Sequence, residues 1–430
     1  MHRTVLAGAG ALLLAACSAS GPSGGLPDPK NCVASGTEDQ PPPIGHVFVI
    51  MLENKGYDET FGPGSPAVYL RETLMPLGQM LPNYHGTGHN STTNYVAMVS
   101  GQSANLMTQG DCIASFAPWT PTNPANGGAL FGEYAQAIGQ GCVYPANVPT
   151  VFDELDLTGK TWAGWMQDMQ FELKGDPGRD PARPKPGTPE ASCIQPEISY
   201  TAPDQTNGSD ATEQYSARHN PFVFFESLIG TEETAAARAR CDAGVLDLER
   251  LRTALRAVGT TPNFNFIVPD NCHNAHDPSC SDGGDGGLKR ADEFLREWVP
   301  LILASPAYQQ DGLLIIVADE ANIANPADPD LAAACCGQEL HPGPNTPLPG
   351  IVGPGGGRQG ALVISRYTQP GSVNPTPYNH FGFLRSVENI FGLDQIDLDA
   401  KPDDGYLGYA GLPASAGMHA FGADVYNCGG

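Results

Sequence analysis

Three unbroken apolar, β-rich runs, each followed by an acid or amide, constrain this chain more than any other feature. They are His46-Val-Phe-Val-Ile-Met-Leu52 before Glu53-Asn54, Phe264-Asn-Phe-Ile-Val268 before Pro269-Asp270-Asn271, and Leu313-Leu-Ile-Ile-Val317 before Ala318-Asp319-Glu320. A strand with one wet face alternates apolar and polar residues, whereas a continuous run suits a strand covered on both faces of a parallel sheet. Ala361–Ser365 is a fourth such run and Lys160–Trp165 a fifth candidate. Helical patterns lie between them, over Tyr95–Ser100 closed by Gly101, Leu288–Leu303, and His380–Ile390 closed by Gly392. This alternation predicts an α/β fold, a doubly wound, mostly parallel sheet between helices. In open α/β sheets ligands bind outside the carboxyl ends of the strands, so Glu53-Asn54, Asp270-Asn271 and Asp319-Glu320 are expected to converge on one crevice.

The first residues stand apart from that domain. The stretch "MHRTVLAGAGALLLAAC" has a basic start, a short apolar run and small residues before Cys17, the layout of an export signal and too short to span a bilayer. Leu14-Ala15-Ala16-Cys17 resembles a bacterial lipobox, which implies a lipid on Cys17 and a membrane-anchored, exported lipoprotein, on the outer membrane if the cell has two. Residues 1–17 are thus read as signal, 18–44 as a Ser, Gly and Pro-rich tether, and 45–430 as one domain with an insertion or lid near 172–220. Setting Cys17 aside leaves an even number of cysteines in an exported chain, so several disulfides are expected. The adjacent Cys335 and Cys336 are expected to bond to two outside partners rather than to each other.

A formal charge of -25 argues against binding the backbone of a nucleic acid. Locally, acid and amide oxygens at strand ends are ligands for a divalent cation. The stretch "HNSTTNYVAMVSG" places Ser91 at a helix start, where serine serves either as an N-cap or as a nucleophile beside a bound phosphate; Thr92 is the rival hydroxyl. A neutral serine is a weak nucleophile, and a cation beside it supplies the activation. His219, in "HNPFVFF", either lines the pocket or packs on Phe222 and Phe224.

The blocks "MLEN", "HNSTTNYVAMVSG", "VPDNCHNAHD", "WVPLILASPAYQQDGLLIIVADE" and "NHFGFLRSVENIFGL" occur in the order found in a known family. From about residue 45 to the C-terminus the chain resembles the secreted acid phosphatases and phospholipase C-like phosphoesterases of the alkaline phosphatase superfamily. The resemblance implies an alkaline phosphatase-like sandwich. It also implies a phosphorylated serine at Ser91, a phosphoryl contact at Asn94, and a metal held by Glu53, Asn54, Ser91, Asp319 and Glu320. His276 would contact phosphate or protonate the leaving oxygen, with His89 in a similar role. His380 matches a ligand position of two-metal relatives, and Asp270 and His273 are further possible ligands, although His273 also reads as a surface residue.

Three positions depart from the family pattern. Asn90 and Thr93 replace prolines, and Asn274 replaces an acid that could tune His276 or complete a second metal site. One divalent metal is therefore expected rather than two. The implied activity is that of a metal-dependent acid phosphatase acting on a small phosphate ester or lipid phosphate through a phosphoserine. Two alternatives stay open: a phospholipase C-type phosphodiesterase, for which "ENKGYDETFG" has the right spacing, and an inactive surface-binding lipoprotein.

Overall fold

The structure is a computed structural model that describes residues 35–121, 130–169, 191–206, 214–230, 235–280, 282–396 and 405–428. The expected export signal with Cys17, most of the expected tether and much of the expected insertion lie outside the described residues.

Eight strands form the main sheet: β1 (His46–Leu52), β2 (Gln79–Leu81), β3 (Trp162–Met166), β4 (Val245–Asp247), β5 (Phe264–Val268), β6 (Gly312–Ala318), β7 (Ala361–Ser365) and β8 (Ser372–Val373). Their order is β8-β2-β7-β6-β1-β5-β3-β4. The five strands from β6 to β4 are parallel, and β7 runs antiparallel to both β6 and β2. The expected mostly parallel sheet is observed, with all five expected strands in it.

The unbroken apolar runs have a direct structural cause. Successive side chains of a strand point to opposite faces, so a strand covered on both sides needs apolar residues at almost every position. In β1, Val47, Val49 and Met51 enter one core layer while Phe48, Ile50 and Leu52 enter the other; in β6, Leu313, Ile315 and Val317 oppose Leu314, Ile316 and Ala318. Helices α1 (Ser91–Ser100), α2 (Val151–Leu157) and α6 (His380–Phe391) cover the first face. On the second face lies α4 (Gly287–Leu303), preceded in the chain by α3 (Ala235–Gly244) and followed by α5 (Pro306–Asp311). Leu288, Ala291, Leu295, Trp298 and Ile302 repeat every three or four residues along α4, which gives one buried stripe. Removing a ring from such a core, as in Phe222→Ala, is expected to cost about 3–5 kcal/mol. Phe222 also explains Gly164 in β3, where an added Cβ would come 2.2 Å from the ring.

Helix α1 ends where the sequence predicts, at Gly101, with φ +65°. Its N-terminus reaches back to Ser91, which places that serine in the first helical turn.

Disulfides join Cys112 to Cys142, Cys193 to Cys241 and Cys272 to Cys280. Cys335 and Cys336 bond to each other, which corrects the expectation of two outside partners. Both sulfurs are packed against main-chain carbonyls, Cys335 on Tyr378 and Cys336 on Pro377, so no other cysteine among the described residues reaches them. No helix among the described residues is long and apolar enough to cross a membrane.

Candidate active site

Strand ends and the α1 N-terminus build the centre of the site. Glu53 follows β1 directly, Asp319 follows β6 directly, and β1 and β6 are neighbours in register, so the two acids emerge side by side. Asn54 adopts φ +50°, a left-handed conformation that asparagine tolerates, and this turns its N–H onto Asp319 Oδ1 at 3.1 Å. Across from them, Ser91 Oγ donates to Glu53 Oε2 at 2.9 Å, and the Tyr95 hydroxyl, one turn along α1, donates to Glu53 Oε1. Glu53, Ser91 and Asp319 are all buried.

Burial and the neighbouring Asp319 hold the Glu53 carboxyl well above the usual carboxylate range, and burial raises Asp319 as well. Asp319 Oδ2 and Asn54 Oδ1 are buried and accept no hydrogen bond. Burying an acceptor without a partner is costly, and two such oxygens beside paired carboxylates and a hydroxyl form a hard oxygen donor set. Glu53, Asn54, Ser91 and Asp319 thus fit a divalent cation.

Glu320 is turned elsewhere. Its Oε2 meets His89 Nδ1 at 2.6 Å and Asn94 Nδ2 at 3.3 Å, and Glu53, Asp319 and Glu320 do not come together as a ligand trio. The other ring nitrogen of His89 lies 2.7 Å from the Leu331 carbonyl. Both nitrogens are engaged, which fixes the ring between Glu320 and the Leu331 carbonyl, and burial lowers its pKa. Asn94 is equally committed: Oδ1 accepts from the N–H groups of Thr87 and Gly88, and Nδ2 donates to Gly88 O. It closes the loop that presents Ser91. Thr92, the rival hydroxyl, donates to Arg218 O at 3.3 Å, and its N–H binds Asp111 Oδ1.

His380 stands behind the acids. Its Nε2 donates to Asp319 O at 2.5 Å, and Nδ1 accepts from the Tyr84 hydroxyl at 3.2 Å. Burial lowers its pKa to about 4. It positions the Asp319 main chain.

The opposite wall is basic. His219, buried and stacked on Tyr95 with ring centroids 5.7 Å apart, brings Nε2 to 3.4 Å from Glu53 Oε2. Burial, together with Arg218 and His276, lowers its pKa well below the ordinary histidine value. The sequence leaves His219 open between a pocket lining and a packed loop histidine; the structure places its ring on Tyr95 with Nε2 beside Glu53. Arg218 places Nε 3.2 Å from His219 Nε2 and Nη2 3.2 Å from His276 Nε2. His276 in turn has Nδ1 2.7 Å from Asp277 Oδ1, which fixes its ring, and its side chain is a quarter exposed. Asn274 takes the place of the expected acid, with its amide 3.4 Å from His219 Nδ1 and its Oδ1 on the His276 N–H.

Asp270 and His273 pair with each other at 2.8 Å, away from Glu53 and Asp319. The trio they form with Cys272 does not suit a thiolate-binding metal, because Cys272 is bonded to Cys280.

Sequence reasoning missed Arg218 and Asp111. Arg218 is an arginine that is almost fully buried beside two histidines, and in the sequence its one signal is its place directly before His219.

A comparison with curated proteins gave no match. Among solved structures the chain resembles a protein of the alkaline phosphatase superfamily from Vibrio parahaemolyticus at 12% identity, covering 84% of this chain and 69% of that one with a TM-score of 0.39. It also resembles the lipoteichoic acid synthase LtaP from Listeria monocytogenes at 9% identity, covering 87% and 80% with a TM-score of 0.39. A third is a phosphonate monoester hydrolase from Silicibacter pomeroyi at 8% identity, covering 81% and 73% with a TM-score of 0.34. The Phosphoesterase family profile matches residues 72–394, a span that holds Ser91, Arg218, His219, His276 and Asp319, and the chain belongs to the Phosphoesterase family.

Proposed function

We propose that the chain is a metal-dependent phosphomonoesterase of the acid phosphatase type that works through a phosphoserine on Ser91, exported and anchored to a membrane through a lipid on Cys17. One observation carries the catalytic part. The Ser91 hydroxyl sits in the first turn of a buried helix, on Glu53, in a continuous line of contacts that runs through His219 and Arg218 to His276.

Each group then has a task. Glu53, Asn54, Ser91 and Asp319 would hold a divalent cation, which would supply charge to neutralise the phosphoryl oxygens and favour ionisation of the serine hydroxyl. The Arg218 guanidinium offers N–H donors to the same phosphoryl group, in the planar geometry that suits phosphate. Ser91 Oγ passes its proton to Glu53, the acceptor of its hydrogen bond, and attacks phosphorus as the bond to the alcohol oxygen breaks. His276 is the group assigned to protonate that oxygen from Nε2, because Asp277 holds its other nitrogen and its ring reaches solvent. This requires Arg218 Nη2, 3.2 Å from Nε2 here, to turn from the ring onto the phosphoryl group. Water then cleaves the phosphoserine ester and regenerates the hydroxyl.

The test is hydrolysis of p-nitrophenyl phosphate against p-nitrophenyl phosphorylcholine from acidic to neutral pH, with chelator and metal add-back. Metal-dependent release from the monoester is the expected result. Preference for the choline diester would move the assignment to a phospholipase C, and silence on both with every metal would favour a binding protein.

A further inference from the structure

Helix α1 grips the Glu53 carboxylate with two donors, and phosphoryl transfer uses only one of them. Ser91 and Tyr95 stand four residues apart, which puts them on one face of the helix, a turn from each other. Ser91 Oγ donates to Glu53 Oε2 at 2.9 Å, and the Tyr95 hydroxyl donates to Oε1 of the same carboxylate. Resting on the reading of Ser91 as the nucleophile, we propose that Tyr95 is a positioning residue for the reaction. Its phenol turns the Glu53 carboxylate so that Oε2 faces the serine hydroxyl and receives its proton.

Tyr95 acts from behind the site. It is 0% exposed, so it touches Glu53 without meeting substrate. Two rings hold its own ring in place: His219, stacked with centroids 5.7 Å apart and 19° between the planes, and Phe266 of β5, at 6.1 Å and 56°. A ring packed in this way presents its hydroxyl at one point, where β1 ends and Glu53 begins. Turning the phenol away would take a hydrogen bond from a fully buried carboxylate oxygen, which is costly.

The acidic centre and the basic wall meet on this one residue. The hydroxyl holds Glu53, while the ring face carries His219, whose Nε2 lies 3.4 Å from Glu53 Oε2. Oε2 is thus the oxygen that Ser91 and His219 both approach, and Oε1 is the one that Tyr95 keeps engaged. A carboxylate free to rotate would offer the serine either oxygen or neither. Pinned at Oε1, it offers Oε2 in the hydrogen-bonded position before each turnover. Partners that orient a metal ligand from behind are worth about 10–100-fold in affinity or activity.

Tyr95→Phe tests the proposal, because it keeps the ring between His219 and Phe266 and removes the hydroxyl alone. Tyr308→Phe is the comparison: Tyr308 is also buried, and its hydroxyl donates to the Ile364 carbonyl at 3.0 Å near the start of β6, away from Asp319. With metal added and p-nitrophenyl phosphate as substrate, Tyr95→Phe is expected to lower kcat about tenfold or more and to leave KM within about twofold. Tyr308→Phe should lower melting temperature and leave both constants unchanged. A Tyr95→Phe chain that loses melting temperature but keeps its kcat would overturn the proposal. A crystal structure of the metal-free variant separates that outcome from a failure of the phosphatase reading. If the unaltered chain is silent on the monoester, the reading of Ser91 falls, yet Glu53 in Tyr95→Phe should still be rotated and its 2.9 Å bond from Ser91 lost. That bond intact in the variant would overturn the role given to Tyr95, whatever the activity. If Tyr95→Phe does not fold, Phe266→Leu keeps the hydroxyl and loosens the ring, and it should likewise lose kcat with KM held; unchanged kcat there would overturn the proposal.

Discussion

Ser91 Oγ lies 2.9 Å from Glu53 Oε2, so the hydroxyl at the helix start and the acid at the strand end hold each other directly. An N-cap serine would turn its oxygen back to its own helix, and Ser91 instead donates across to the sheet. Ser91→Ala is therefore expected to leave the fold intact and to lower kcat by about 10³-fold or more, the scale of loss on removing a nucleophile. Intact-protein mass spectrometry after brief mixing with substrate should show an added phosphoryl group in the unaltered chain and none in the variant. Phosphoryl transfer to Thr92 would refute the assignment.

Arg218 touches both His219 and His276, and it reaches the phosphoryl group only if substrate binds between Ser91 and that pair. Arg218→Ala is expected to lower kcat/KM by about 10²-fold, the scale for loss of one strong donor to a developing anion, and Arg218→Lys should recover only part of it. Steady-state kinetics on a monoester measures both. A change confined to melting temperature would make Arg218 a structural residue.

The raised carboxyls of Glu53 and Asp319 set the sign of a stability effect in the metal-free protein. An acid whose pKa is higher in the folded state binds more protons there than in the unfolded chain, so stability falls as pH rises above the ordinary carboxylate range of about 4. A bound divalent cation removes the cause. Melting temperature in chelator should therefore decline from acidic to neutral pH, and the gain on adding metal should grow over the same interval. Asp319→Asn should flatten both trends, because it removes one of the two charges. A metal effect of equal size at every pH would count against Glu53 and Asp319 as the ligands.

Much of this arrangement is legible in the sequence, for a physical reason. Strands buried on both faces are apolar almost throughout, so β1, β5 and β6 stand out. Asn265 in β5 is tolerated because its amide is bonded to Trp165 and Pro262, and the acid or amide after each strand marks the sheet's carboxyl edge. Ser91 is legible from its place before an apolar helix closed by Gly101. Arg218 is not, because it sits in a single short turn of helix, Ala217–His219, with no period to read. The direction of Glu320 was equally hidden: adjacent residues after a strand point apart, so Asp319 turns toward Ser91's side while Glu320 turns to His89. Nor could spacing show that Cys335 and Cys336 close on each other, since their pairing is set by the loop that packs against Pro377 and Tyr378.

His380 provides a pH signature of the opposite sign to the acids. Its ring is neutral in the fold, with Nε2 donating to Asp319 O and Nδ1 accepting from Tyr84, and burial lowers its pKa to about 4 against an ordinary value of about 6.5. Between those values the unfolded chain binds a proton that the folded one refuses, so this contribution is fully present above about pH 6.5 and is lost as pH falls toward 4. The lost amount is on the order of 3 kcal/mol. His380→Gln keeps a donor for the Asp319 carbonyl and removes the titrating ring. The stability difference between the two proteins, from urea unfolding in chelator, should shrink steadily from pH 6.5 to 4, while a constant difference would mean that His380 takes up its proton in both states alike and does not serve as the neutral support of Asp319.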